Sequence, residues 1–253
     1  MDKMVETFTK ERTKICEGLM NPEVRKLLDL PLNKKVAKSQ EIIKEAIAKY
    51  PKIGLGFSGG TDSLVLLHLT LPIKKNIPII FVNTRQEFPI MEVFMEEVKK
   101  DWNLQNFHEV KAEKNKLHEF IERYGLKTPE FTTECCNYHK IAPMMKAIEE
   151  MGFEAFFVGL RGVEHEERAK ETFYSPRKTH IRVHPLLFWR QKDVLDYVKK
   201  NNIKTNPLYA KGFTSLGCTI CTEKNTDPNA HERAGRGEVR EQIMEHLREL
   251  GYT

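Results

Sequence analysis

The sequence has few of the features that mark exported, membrane-bound or polymer-binding chains. None of its apolar runs approaches the roughly 20 residues that a membrane-spanning helix needs. The N-terminus is charged at Asp2 and Lys3 and shows no apolar core of a signal peptide, so a cytoplasmic protein with no membrane partner is expected. There is no internal repeat and no low-complexity segment, which excludes solenoids and compositional tails. An excess of one charge is also missing: 41 Lys and Arg against 36 Asp and Glu leave a net +5. That balance suits anionic small molecules and says little about nucleic acid. The lysine pairs at 34–35, 74–75 and 99–100 are scattered and read as solvated helix faces. Cysteine is scarce at five residues, but an adjacent pair and a Cys-x-x-Cys fit metal ligation in a reducing compartment better than a disulfide framework. The 253 residues suffice to bury the core of one large α/β domain.

What is present is organised around the stretch 53–68. Ile53 to Phe57 reads as a buried strand, Ser58, Gly59 and Gly60 as a tight turn, and the following residues as a helix carrying Leu64, Leu67 and His68. Adjacent glycines let consecutive N–H groups face one anion, and the helix adds the positive end of its dipole at the same point. Ser58, Thr61 and Ser63 supply hydroxyl donors, whereas the Asp62 carboxylate needs a cation or a sugar hydroxyl to face. A corner capped by Asp62 is the plainer alternative. The Lys of the Walker loop and the glycine spacing of the dinucleotide fold are both absent, which disfavours those sites. The run Ser58-Gly59-Gly60-Thr61-Asp62-Ser63 resembles the PP-loop of ATP pyrophosphatases and their relatives, and the resemblance implies a grip on the phosphates of an adenine nucleotide.

Taken in order, residues 1–50 read as a helical N-terminal segment, with helices over Val5–Leu28 and Lys34–Tyr50. Further strands are expected at Ile77–Val82, Phe107–Val110, Glu154–Val158 and His180–His184. Helices are expected at Ile90–Trp102, Leu117–Tyr124, Ile141–Met151, Gln191–Asn201 and Val239–Leu250, with a polar surface loop over 223–237. Alternation of this kind predicts an α/β protein with a mainly parallel sheet flanked by helices. Ligands of such sheets lie off the carboxyl ends of the strands, which places Ser58–Ser63, Asn83–Glu87 and Gly159–Arg161 on one rim. Residues 51–237 would form the nucleotide-binding domain and 238–253 a closing helix. His180 and His184 stand four apart on an expected strand, roughly 13 Å, too far to share a metal. Cys16 reads as a small core residue without a role.

Cys218 and Cys221 are spaced so that both sulfurs can face one metal centre, and Cys135 and Cys136 supply a second pair. Two unrelated pairs of buried thiols, a structural zinc and an iron–sulfur cluster all accommodate these four residues. An adjacent pair is awkward for a tetrahedral zinc site, whereas a cluster accepts thiolates from scattered positions and is favoured.

Over about residues 50–236 the chain resembles the adenylylsulfate and phosphoadenylylsulfate (PAPS) reductase family, within the PP-loop (adenine nucleotide α-hydrolase-like) superfamily. The motifs are the loop at 58–63, Cys135-Cys136-x-x-x-Lys140-Ile-x-Pro143, Gly159-Leu-Arg161, and Pro185-Leu-x-x-Trp189 followed by Asp193-Val. They continue through Asn206-Pro-Leu-Tyr-x-x-Gly212-x-x-Ser-x-Gly-Cys218-x-x-Cys221-Thr and Arg233-Ala-Gly-Arg236. The resemblance implies a 4Fe–4S cluster on Cys135, Cys136, Cys218 and Cys221, within the domain 51–237. It implies Lys140 between cluster and anion, and Arg161, Arg233 and Arg236 facing sulfate and phosphate, a task suited to the planar guanidinium.

Three departures from the family stand out. Its reductases end in Glu-Cys-Gly-Leu/Ile-His, whose Cys attacks the sulfate sulfur, and no cysteine follows Cys221 here. The loop is the intact version found in enzymes that cleave ATP to AMP and pyrophosphate. His139 stands where the family often has Arg, and Gly237 where it has an aromatic residue.

The first expectation is therefore an iron–sulfur reductase converting a sulfonucleotide, adenylyl sulfate or PAPS, to sulfite and an adenosine phosphate. It needs an electron donor or thiol from Cys16, a partner protein or a small molecule. The alternative is an ATP- and Mg²⁺-dependent enzyme that adenylates a substrate for sulfur transfer, as in tRNA or DNA base thiolation, the only reading with a nucleic-acid partner. A nucleotide- or redox-sensing module without turnover is the third. Each of them allows a homo-oligomer.

Overall fold

The computed structural model describes residues 13–227 and 230–252. Six strands form one sheet: β1 (Ile53–Gly56), β2 (Ile79–Val82), β3 (Phe107–Val110), β4 (Ala155–Phe157), β5 (Tyr174–Pro176) and β6 (Ile181–Val183), in the spatial order β3-β2-β1-β4-β6-β5. All neighbours pair in parallel except β5, which runs antiparallel to β6 at the edge. The α/β, mainly parallel architecture is as expected, and each strand expected from 53 onward is present, trimmed at its ends. β5 is an addition to that expectation. Three residues ending in Pro176 give no readable alternation, and a proline in a strand is tolerated only where its missing N–H is not needed.

From β1 the chain winds outward through β2 and β3, then returns to place β4 on the other side of β1. This reversal opens a crevice at the carboxyl ends of β1 and β4, the general ligand position in such sheets. The loop at 58–63 leaves β1 there and Gly159–Arg161 leaves β4.

Helix Thr61–Thr70 is apolar on every side, with Leu64, Val65, Leu66, Leu67 and Leu69 buried, so it packs inside the molecule. Helix Leu32–Lys49 covers it and buries Ile42, Ile43 and Ala46. Its polar buried positions are satisfied: Ser39 Oγ donates to the Pro185 carbonyl at 2.7 Å and accepts from Trp189 Nε1 at 2.9 Å. Lys35 Nζ pairs with Asp193 at 2.5 Å and donates to the Leu28 carbonyl at 2.7 Å. Of the expected helix Val5–Leu28, residues 5–12 lie outside the described residues; 13–19 and Pro22–Arg25 are helical. They carry Cys16, Met20 and Val24 into the same core as the sheet. No described helix is long and apolar enough to cross a membrane.

Two segments differ from the reading of the sequence. Helix Pro129–Cys136 runs into a wide π turn, Asn137–Ile141, before helix Ala142–Glu150. Pro143 explains the widening, because its ring has no N–H for the carbonyl four residues back and would clash with it. The single helix expected at Val239–Leu250 is two short ones, Glu238–Gln242 and Met244–Glu249, broken at Ile243 (φ −95°, ψ 14°). Gly251, at φ +102°, turns the chain back so that the Tyr252 N–H reaches the Leu247 carbonyl at 2.7 Å.

This C-terminal pair is tied to the preceding loop by Arg233, whose Nε and Nη2 donate to the two carboxylate oxygens of Glu241 at 2.8 and 2.6 Å. Burial opposes ionisation of Glu241, but the hydrogen bonds and charge of Arg233 outweigh it and bring the pKa from 4.5 to about 2. A carboxylate with a depressed folded pKa contributes stability that is present above its unfolded value and lost as pH falls through the folded one. Glu241→Gln should therefore lower the melting temperature at pH 7 and flatten its decline between pH 4.5 and about 2, measured by calorimetry across pH. A second test concerns Gly159, where a Cβ would lie 3.1 Å from the Asp62 carbonyl atoms and the Ser63 nitrogen. Gly159→Ala should force the loop after β4 away from the helix at Thr61. We expect a cost of about 1–3 kcal/mol in denaturant unfolding and weaker nucleotide binding by calorimetry.

Candidate active site

The loop after β1 is fixed by its own side chains. Gly59 takes φ +73°, and a Cβ there would sit 2.7 Å from Met91 Sδ and Met95 Cε. Gly60 has an ordinary extended φ of −80°, so only the first glycine of the pair is required by backbone conformation. Ser63 Oγ accepts from the Ser58 N–H at 3.2 Å and donates to the Gly60 carbonyl at 2.8 Å, closing the turn. Thr61 N–H donates to Tyr209 Oη at 3.1 Å. Burial raises the Tyr209 phenol to about 12, so it stays neutral against the helix N-terminus. Ser58, Gly60, Thr61, Asp62 and Ser63 border a cleft of about 470 Å³, whereas Gly59 lies behind it.

The cation that Asp62 calls for is Arg161. Its Nε donates to Asp62 Oδ1 at 2.7 Å, and its Nη2 stands 3.4 Å from Oδ2. The same guanidinium meets Glu232 at 2.5 Å and Glu164 at 3.4 Å, and it is 2% exposed. Arg161 thus contacts three carboxylates, of which Glu164 is also paired with Arg168. Burial raises the Asp62 pKa and Arg161 only partly offsets this, leaving it near 6, while Glu164 has Arg168 as well as Arg161 and falls to about 2.

The residues expected to face an anion separate into two groups. Lys140, Arg161, Arg233 and Arg236 all line the cleft. Arg161 and Arg233 are engaged by carboxylates. Arg236 donates through Nη1 to Thr222 Oγ1 at 3.0 Å, while its Nε has no hydrogen-bond partner among the described residues. The missing side chain at Gly217 makes room for it, since a Cβ would fall 1.9 Å from Nη1. Lys140 Nζ lies 5.2 Å from the centre of the Tyr252 ring, and no carboxylate among the described residues pairs with it.

Lys140 and Cys218 belong both to this cleft and to a smaller adjoining cavity. There Cys135, Cys136, Cys218 and Cys221 come together from the end of helix Pro129–Cys136 and the turn at Thr219–Cys221. Burial raises the Cys135 thiol far above its ordinary value, Cys218 less so, and Cys221 to about 11. Cys218 Sγ donates to Thr84 Oγ1 at 3.3 Å, and Thr219 N–H to the Gln86 carbonyl at 2.8 Å, docking the Cys-x-x-Cys turn on the loop after β2. No group of three or more His, Cys, Asp or Glu side chains among the described residues is gathered to hold a metal ion. Four sulfurs around one cavity, with the buried guanidinium of Arg240 in its wall, are nonetheless a donor set suited to an anionic iron–sulfur group. His139 accepts the Lys116 N–H at Nε2 (3.2 Å), packs on Phe120, and lines the same cavity with Nδ1 3.6 Å from Cys135 Sγ. Cys16 is in the core, away from both cavities.

Sequence alone assigns no role to Tyr209, Glu232, Arg240 or Tyr252. Tyr209 stands within a quoted motif, a signal that could have found it. Glu232 lies on a polar loop, Arg240 on a short helix and Tyr252 beyond the last helix, where periodicity does not say which neighbour they meet.

Comparison with known proteins bears on family and fold. The family profile described as the phosphoadenosine phosphosulfate reductase domain matches residues 52–224. An adenosine 5′-phosphosulfate reductase of Mesorhizobium japonicum is 30% identical over 79% of this chain and 78% of its own length. A phosphoadenosine 5′-phosphosulfate reductase of Buchnera aphidicola is 30% identical over 74% of this chain and 78% of its own. Among solved structures, the PAPS reductase of Candida auris superposes with a TM-score of 0.60 at 22% identity, covering 78% of this chain and 92% of that one. The FMN adenylyltransferase of Candida glabrata does so with 0.59 at 19%, covering 91% and 86%. At these identities both structures speak to the fold, which is the PP-loop type. The profile match and the identities place the chain in the phosphoadenosine phosphosulfate reductase domain family.

Proposed function

We propose that this chain reduces a sulfonucleotide, adenylyl sulfate or PAPS, to sulfite and an adenosine phosphate. The observation that carries the reading is the continuity of the cleft, which has the PP-loop at one end and Lys140, Arg236 and Cys218 at the other. A nucleotide with its phosphate on the loop would present a sulfo group to that second end. The names of the relatives support the same chemistry. A 4Fe–4S cluster would be held by Cys135, Cys136, Cys218 and Cys221, and when bound it would supply a fixed charge beside the sulfo group. Cys16 is buried in the core, which argues against it as the attacking thiol, and a small molecule or a partner protein would supply one.

In this reading an external thiolate attacks the sulfate sulfur. The S–O bond breaks and its electron pair leaves on the phosphate oxygen of the adenosine phosphate. A second thiol then displaces sulfite, and the two thiols end as a disulfide, having supplied the two electrons. Loop N–H groups, the Thr61 hydroxyl, Arg236 and Lys140 oppose the charge that grows on the leaving phosphate.

Adenylation with ATP and Mg²⁺ is the second reading, favoured by the intact loop. The Asp62–Arg161 pair weighs against it, because the carboxylate that would meet the metal already has a buried cation at 2.7 Å.

The test is turnover of anaerobically reconstituted protein on ATP, adenylyl sulfate and PAPS, following pyrophosphate and sulfite. We expect sulfite in proportion to added thiol, from at least one sulfonucleotide, and no pyrophosphate from ATP. Pyrophosphate release with Mg²⁺ and no sulfite would overturn the proposal in favour of adenylation. About four irons per chain are expected. Cys→Ser at any of the four positions should remove them, while Cys16→Ser should leave them in place. A colourless protein with stoichiometric zinc would refute the cluster.

A further inference from the structure

We infer that Arg240 is the built-in counter-charge of the four-cysteine cavity, so that its guanidinium destabilises the empty protein and stabilises the loaded one. This rests on the iron–sulfur reading above and names a residue beyond the 52–224 family match.

Arg240 sits on helix Glu238–Gln242, is 3% exposed, and lines the cavity together with all four cysteines. Its arrangement differs from that of three arginines nearby and matches that of Arg236, which also has no carboxylate partner among the described residues. Arg161, Arg168 and Arg233 each contact a carboxylate at hydrogen-bonding distance. Arg240 forms no ion pair with a carboxylate among the described residues. Its Nη2 donates to the Tyr252 phenol, its guanidinium lies 4.7 Å from the centre of that ring, and its Nε has no hydrogen-bond partner among the described residues. Glu241 is adjacent in sequence, but both its carboxylate oxygens are held by Arg233. Lys140 adds a second positive charge to the same wall.

A buried guanidinium without an anion is costly, and the protein supplies none here. The cavity it borders is lined by the four cysteine side chains. Four thiolates around a four-iron core carry net negative charge, which is the anion the geometry lacks. Arg240 is thus a positioning residue, acting on the bound group through its charge.

The experiment compares melting temperatures of wild type, Arg240→Gln and Arg240→Lys. Each is measured as apoprotein and after anaerobic loading with ferrous iron and sulfide. We expect Arg240→Gln to melt above wild type as apoprotein and below it when loaded. Arg240→Lys should stay on the wild-type side of Arg240→Gln in both forms. A structural role alone would not reverse sign between the two forms. If Arg240→Gln lowers the melting temperature in both, or fails to fold as apoprotein, the inference is overturned. Loaded wild type with an Arg240→Gln variant that loads and melts identically overturns it as well, while the cluster reading survives. Wild type that takes up no iron overturns the reading itself, and this inference with it.

Discussion

The buried guanidinium of Arg161 is the contact on which the cleft depends. It leaves the sheet after β4 and meets Asp62 on the first turn of the helix that leaves β1, so it joins the two sides of the crevice where the strand order reverses. Its other carboxylates come from the turn that follows it, at Glu164, and from the distant loop, at Glu232. Removing the guanidinium would leave Asp62 and Glu232 without their cation, while Glu164 would keep Arg168. The close approach that permits the pair also depends on Gly159, which brings its backbone to within contact of Asp62 and Ser63. Charge and sterics therefore fix the same junction.

This pairing changes how the loop motif should be read. In a PP-loop with an unpaired carboxylate, a divalent cation would be the natural partner of Asp62. Here the partner is permanent and covalently part of the chain. An intact SGGTDS sequence is compatible with more than one chemistry, because the motif specifies backbone conformation and hydroxyl placement. The charge facing the carboxylate is set by a residue almost a hundred positions away.

Much of this was legible in the sequence, and the limits have physical causes. The βαβ alternation and the carboxyl-end rim follow from periodicity, and the strands from 53 to 110 were recovered within a few residues. The four cysteines, distant in sequence, line one cavity. Strand β5 was missed because three residues carry too little pattern. The C-terminal helix was read as continuous because a break at Ile243 involves no proline or glycine. Among the arginines, residue type indicated which could bind an anion. It could not indicate that Arg161 and Arg233 have carboxylate partners and that Arg236 retains an unused N–H, since those partners are set by tertiary packing.

The distribution of charge along the cleft then has a direction. At the PP-loop end, Arg161 and Arg168 are paired with Asp62, Glu164 and Glu232. At the far end Lys140 and Arg240 stand over the same Tyr252 ring, at 5.2 and 4.7 Å from its centre. A π face and a phenol oxygen are weak compensation for two cations. Burial would raise the Tyr252 pKa, yet Arg240 and Lys140, followed by Arg168 and Arg233, bring it below its ordinary value, which registers the local excess of positive charge. A protein that keeps such an excess in its interior loses stability when empty and regains it when anions bind. The far end of the cleft thus presents cations that no described carboxylate pairs with, whereas the arginines of the loop end are already paired.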